Sequence, residues 1–196
     1  DDDNDGIDDG DDSCPLRVNP IVRYFVDSGQ ALGDAPSRGV ELRDLDGDGD
    51  LDAFVASDDG QPDLVWLGDG AGTFTDSGQR LGSAPSAGVD LGDVDGDGDV
   101  DAFVTTGLWR NDGAGAFTAT GQVFAGVTSV ALGDLDGDGD LDAILTSSNA
   151  ANQIWLNDGA GVYTESAADL GTQGTKVALG DLDGDGDLDA FVASAG

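Results

Sequence analysis

Four copies of one nine-residue pattern, D-x-D-G-D-G-D-x-D, limit what this chain can fold into more than any other feature. They occupy Asp44–Asp52, Asp93–Asp101, Asp134–Asp142 and Asp181–Asp189, with Leu or Val at both x positions. Five carboxylates in nine residues repel one another, so such a stretch cannot close tightly alone. A hard divalent cation reverses the sign of that interaction. Calcium accepts about six to eight oxygens at ~2.3–2.6 Å, and calcium loops draw ligands from alternate positions 1, 3, 5, 7 and 9. In the first copy these are Asp44, Asp46, Asp48, Asp50 and Asp52. In the others they are Asp93, Asp95, Asp97, Asp99 and Asp101; Asp134, Asp136, Asp138, Asp140 and Asp142; and Asp181, Asp183, Asp185, Asp187 and Asp189. Position 7 is expected to act through its main-chain carbonyl, and the glycine at position 6, such as Gly98, permits the reversal around an ion.

The residue after each loop decides what the loop connects. A helix–loop–helix calcium site needs Glu at position 12, whereas position 12 here is Val55, Val104, Leu145 or Val192. Runs such as Asp-Ala-Phe-Val-Ala-Ser are apolar and β-branched, so a strand leaves each loop. A solvated acidic turn would also be rich in Asp, but it has no reason to keep its glycines in register four times.

The balance of charge narrows the partners. The 196 residues hold 41 acidic and 7 basic side chains, for a net charge of −34. The four loops carry twenty of the acidic residues and the first twelve positions eight more, so the charge is concentrated where cations would bind. Seven basic residues cannot form a nucleic-acid footprint, and an anionic membrane surface is excluded by the same sign. No apolar run approaches the ~18 residues of a spanning helix. A chain that opens on Asp is expected to be a mature or excised product, and the lone Cys14 has no mate within it.

Catalytic groups are scarce. There is no His, the usual base; the single Cys lacks a partner base; and the only glutamates, Glu41 and Glu165, fall at unrelated repeat positions. An enzyme is not expected.

The remaining signal is periodic. Loop starts are spaced by 49, 41 and 47 residues, and each unit reads alike. An entry strand (Gly39–Arg43, Gly88–Leu91, Ser129–Leu132, Lys176–Leu179) precedes the loop, and an apolar strand (Ala53–Ala56, Ala102–Thr105, Ala143–Thr146, Ala190–Ala193) follows it. A third strand carries Trp66, Trp109 or Trp155 and ends in a Gly-rich turn, and a fourth lies around Phe74, Phe117 or Tyr163. Short β runs separated by Gly and Asp turns predict an all-β array. Four strands in ~40–50 residues is the size of a propeller blade. The repeated tryptophans are expected to pack between blades, with a sugar-stacking platform as the alternative.

These units resemble FG-GAP (VCBS-type) repeats, the blades of integrin α-subunit propellers and of many bacterial surface proteins, from about Leu16 to the C-terminus. The resemblance implies that each acidic loop joins the first and second strands of a blade and binds calcium. The Gly-Ala-Pro element of the family survives only loosely, at Gly33–Pro36 and Gly82–Pro85. Before it, residues 1–15 resemble a thrombospondin type 3 repeat. Asp1, Asp3, Asp5, Asp9 and Asp12 stand at ligand positions, with Ile7 where a main-chain carbonyl is used.

The expected organisation is therefore a calcium linker (1–15) followed by a β-propeller of four-stranded blades (16–196). Units span about 38–86, 87–126 and 127–174, with half units 16–37 and 175–196. Aligning Asp27–Gln30 with Asp76–Gln79 lays Leu16–Asn19 over the Trp66 strand. The N-terminal half then supplies third and fourth strands, and the C-terminal half supplies first and second. Closure into a four-bladed ring with one composite blade is the favoured reading. A head-to-tail fibre and a fragment of a longer propeller are the alternatives. The expected function is a non-catalytic, extracellular, calcium-binding module for adhesion or spacing. Four calcium ions are expected in the propeller loops, with a fifth position in the linker. The expected partners are a surface protein or glycan, or further copies of the chain, and the alternative roles are a filament subunit and a propeller lectin.

Overall fold

The computed structural model describes residues 27–168, 170–171 and 173–194. All of its strands lie in one unit, Ala31–Gly196. The linker loop of residues 1–15 and the Leu16–Asn19 strand of the composite blade lie outside the described residues.

Among the described residues, fourteen strands form three four-stranded antiparallel sheets and one pair. The first sheet contains β1 (Ser37–Arg43), β2 (Asp52–Ser57), β3 (Leu64–Gly68) and β4 (Phe74–Asp76), in that spatial order. The second contains β5 (Val89–Gly92), β6 (Asp101–Val104), β7 (Gly107–Asn111) and β8 (Phe117–Ala119). The third contains β9 (Ser129–Gly133), β10 (Asp142–Thr146), β11 (Gln153–Asn157) and β12 (Tyr163–Glu165). The pair is β13 (Lys176–Gly180) with β14 (Asp189–Ala193). First strands are neighbours in succession, β1 beside β5, β5 beside β9 and β9 beside β13. That is the order of propeller blades: a meander within each sheet and face-to-face packing between sheets.

Within the described residues the expected strands form, with shifted ends. The second strand of each blade starts on the last Asp of its loop, because Asp52, Asp101, Asp142 and Asp189 already pair with Arg43, Gly92, Gly133 and Gly180. The third strands run on to Gly68, Asn111 and Asn157, residue types that usually mark turns. Their backbone N–H groups are held there by loop carboxylates, described below.

Two apolar cores fill the gaps between blades. Phe54 and Phe103, one strand position in successive blades, are each fully buried. Phe54 meets Phe117 of the next blade edge-to-face at 5.5 Å. Phe103 stacks on Phe124 at 4.5 Å and meets Tyr163 edge-to-face at 5.1 Å. Phe191, at the same position in β14, is 68% exposed. Polar clamps reinforce the cores. Gln79 donates Nε2 to Gly115 O and accepts the Phe117 N–H at 2.8 Å, while Gln122 repeats both bonds with Gly161 and Tyr163 one blade on. Asn111 and Asn157 likewise donate Nδ2 to Leu45 O and Val94 O of the preceding loop, at 2.7 and 2.8 Å.

Candidate metal centres

Each acidic nonapeptide is the connection between the first two strands of a blade. Its glycines at positions 4 and 6 all have positive φ: Gly47 and Gly49, Gly96 and Gly98, Gly137 and Gly139, Gly184 and Gly186. A side chain is disfavoured there, which explains the fixed D-G-D-G core of the pattern. The chain then curls around the first carboxylate. Asp44 Oδ1 accepts the Gly47 N–H at 2.8 Å and Oδ2 accepts the Gly49 N–H at 2.9 Å. Asp93, Asp134 and Asp181 do the same in their loops.

The ninth residue closes the loop onto the blade. Asp52 accepts the Leu45 N–H and the Gly68 N–H, both at 2.7 Å. Asp101 holds Val94 and Asn111 in the same way, and Asp142 holds Leu135 and Asn157. All three carboxylates are fully buried. Each one ties the loop entry to the third strand, and this carries β3, β7 and β11 one residue beyond Leu67, Arg110 and Leu156. The seventh residue turns its side chain the other way, against the Gly-rich turn after the third strand. A methyl on Gly113 would stand 2.5 Å from Asp99 Oδ1, and one on Gly159 equally close to Asp140 Oδ2.

The resulting geometry brings three carboxylates together in every loop. Asp44, Asp46 and Asp48 form one group; Asp93, Asp95 and Asp101, Asp134, Asp136 and Asp142, and Asp181, Asp183 and Asp189 form the others. Within each group one oxygen per residue lies within 4.8 Å of the rest. Ligands at ~2.3–2.6 Å from one ion stand at most about 5 Å apart, so a single cation fits. Positions 1 and 3 join in all four loops, position 5 in the first and position 9 in the rest. The side chains of Asp50, Asp99, Asp140 and Asp187 are outside the groups, as are those of Asp52, Asp97, Asp138 and Asp185.

The electrostatics favour a cation too. Burial, with a further push from Asp95 and Asp97, raises Asp101 to about 6, although its two backbone hydrogen bonds pull the other way. Burial first and neighbouring carboxylates next also raise Asp99, Asp136 and Asp140. Asp46 is raised by burial, reinforced by Asp52, Asp48 and Asp44 and opposed by its bond from the Asp48 N–H. In the second loop Asp95 Oδ1 is buried and has no hydrogen-bond partner. An all-oxygen donor set with an orphaned, buried carboxylate oxygen fits calcium, with its preference for hard ligands.

The tryptophans are packed. Trp66 is 9% exposed, Trp109 sits against the core between the first two blades, and Trp155 against the next, edge-to-face with Phe124 at 5.0 Å. Trp109 and Trp155 remain partly exposed, and Trp66 and Trp109 each line a surface pocket.

Several interacting residues carry no motif. Gln79 and Gln122 share a Gly-Gln step after the fourth strand, and Asn111 and Asn157 share the place two beyond each Trp; both recurrences were signals available in the repeat. Arg110 and Asp63 are single occurrences. Asp63 lies in the β2–β3 connection, 2% exposed, where Oδ1 accepts the Ser57 N–H at 2.8 Å and Oδ2 the Ser86 hydroxyl at 2.9 Å.

Antiparallel four-stranded sheets in blade order, each carrying an acidic loop between its first two strands, define a repeat β-propeller module. Residues 44–104 and 134–192 match the FG-GAP-like repeat. The chain belongs to that family. No curated protein sequence matches it. Among solved structures, a β-propeller is similar: the crystal structure of BBS1N in complex with ARL6DN, soaked with lead, has a TM-score of 0.52 and 14% sequence identity. The match covers 88% of this chain and 58% of that one. At that identity the likeness concerns the fold alone.

Proposed function

We propose that the chain is a calcium-rigidified, non-catalytic propeller module of a secreted or surface-exposed protein, serving adhesion or spacing. The observation that carries this reading is the convergence of three carboxylate oxygens in each of four loops at one place in the blade. Calcium bound there would neutralise the loop and fix the first strand against the second. Asp52, Asp101 and Asp142 would then pass that order to the third strand. Extracellular modules of this kind bind calcium at ~10⁻⁴–10⁻³ M, which suits a compartment with millimolar calcium. The absence of His from the sequence supports a binding role over a catalytic one. A protein or glycan on a surface is the proposed partner. The test is whether the fold depends on calcium, read as a thermal melt with and without chelator.

One observation favours a second reading, a filament subunit joined head to tail. Among the described residues β13 and β14 form a sheet of two strands, with Phe191 68% and Leu182 66% exposed. Their counterparts Phe54 and Leu45 are buried by the next blade. A second copy that completed this sheet by strand pairing would bring a further blade onto that face and cover them. Light scattering across a dilution series separates the readings. A filament loses mass on dilution, and the module keeps one mass throughout.

A further inference from the structure

Of the four loops, the second alone among the described residues has a resident cation. Arg110, on β7, places Nη1 3.0 Å from Asp95 Oδ2. Its Nη2 donates to Ala160 O in the turn of the next blade. The Gly161 turn lies over both groups: a methyl there would stand 2.9 Å from Arg110 Nη2 and 3.4 Å from Asp95 Cβ. The same place in the first blade is apolar. Under Gly115 lie Leu67 and Asp46, the counterparts of Arg110 and Asp95. In the third blade the counterpart is Leu156. The Asp95 side chain is 11% exposed and that of Arg110 41%, so the carboxylate is shielded while solvent screens the pair from the guanidinium side.

We propose that Arg110 is a built-in counter-cation that weakens calcium binding at the Asp93–Asp101 loop relative to the first and third loops. This rests on the calcium reading of the loops given above. The argument is one of charge. Asp95 occupies position 3 of its loop, belongs to the converging group, and gives one oxygen to Arg110 while the other stays buried without a hydrogen bond. A calcium ion taking that free oxygen would sit beside a fixed positive charge that neither neighbouring loop contains. Before calcium arrives, the guanidinium already offsets part of the repulsion among the five carboxylates. Both effects reduce the gain on binding. The three loops would then fill in order, the second last, and the contact between the second and third blades would tighten at a higher calcium concentration than that between the first and second.

The experiment is a calcium chloride titration of the ¹⁵N-labelled full chain, following the amides of Gly49, Gly98 and Gly139 as reporters of the three loops. In the unaltered chain Gly98 is expected to respond last. In Arg110→Leu, which installs the residue of the neighbouring blades, the second loop is expected to bind about tenfold more tightly, equivalent to ~1.4 kcal/mol. Gly49 and Gly139 should respond as before. Arg110→Lys keeps the charge and is expected to keep the late response. Gly98 filling together with or ahead of the others in the unaltered chain overturns the proposal, and that result needs no substitution. An unchanged or weakened second loop in a folded Arg110→Leu chain overturns it as well, while leaving the calcium reading standing. If none of the three amides responds to millimolar calcium, both fall together.

Discussion

Excess EDTA is expected to lower the melting temperature of this chain by about 5 °C or more. The size follows from linkage. A ligand that binds only the folded state stabilises it by RT ln(1 + [L]/Kd). With dissociation constants of ~10⁻⁵–10⁻³ M and millimolar calcium, each site contributes about 0.4–2.7 kcal/mol. Four sites contribute roughly 2–11 kcal/mol, against the ~5–15 kcal/mol that holds a typical domain together. For a domain of this length each 1 kcal/mol moves the midpoint by about 2–4 °C. The upper part of that range would leave the calcium-free chain unfolded at room temperature. Circular dichroism or differential scanning fluorimetry in millimolar calcium, then in chelator, measures the shift. An identical midpoint in both would remove the structural role assigned to the loops.

Asp63→Asn is expected to stabilise the chain by about 2–3 kcal/mol at pH 7 and by almost nothing below pH 4. Burial raises Asp63 to about 6, against hydrogen bonds from Ser57 and Ser86 that pull it down. Between pH 4 and pH 6 the folded chain therefore holds a proton at this position that the unfolded chain has released. Stability falls as pH rises through that window, and the loss is complete above it. The rise from 3.8 to about 6 corresponds to about 3 kcal/mol. An asparagine keeps the acceptor for the Ser57 N–H and can donate to Ser86 Oγ, whose own proton turns toward Thr106 Oγ1, 3.0 Å away. The third blade already uses that residue. Asn152 stands at the same distance before its tryptophan, accepts the Ser147 N–H at 3.3 Å and donates to Leu170 O at 3.4 Å. Urea unfolding of both chains at pH 4 and pH 7 reads the difference, and calcium effects common to both cancel. A variant less stable than the original at pH 7 would show that the carboxylate is needed in its charged form.

Asp63 also shows where reading the sequence stops. The nonapeptides were legible because carboxylates at every second position, with glycines at 4 and 6, have few folded solutions. The strands were legible because runs such as Ala53–Ala56 are apolar and bounded by turns. Asp63, by contrast, is one of many aspartates, and nothing near it in sequence foretells that Ser57 and Ser86 will enclose it. The third strands reach Asn111 and Asn157 for a related reason. A polar side chain predicts a turn until a tertiary hydrogen bond holds its backbone in the sheet. Ligand roles within the loops were legible by position only. That Asp99 turns toward Gly113, or that Asp52 spends both oxygens on backbone N–H groups, depends on the neighbouring turn. Arg110 was invisible because it interrupts a repeat: its neighbours at that place are leucines, and a single arginine in a strand carries no pattern.

The number of ions taken up by the whole chain tests the central claim most directly. Isothermal titration of calcium chloride into calcium-stripped chain is expected to show saturable binding of at least four equivalents, one for each converging trio of carboxylates. A folded chain that takes up no calcium at millimolar concentration would contradict the account.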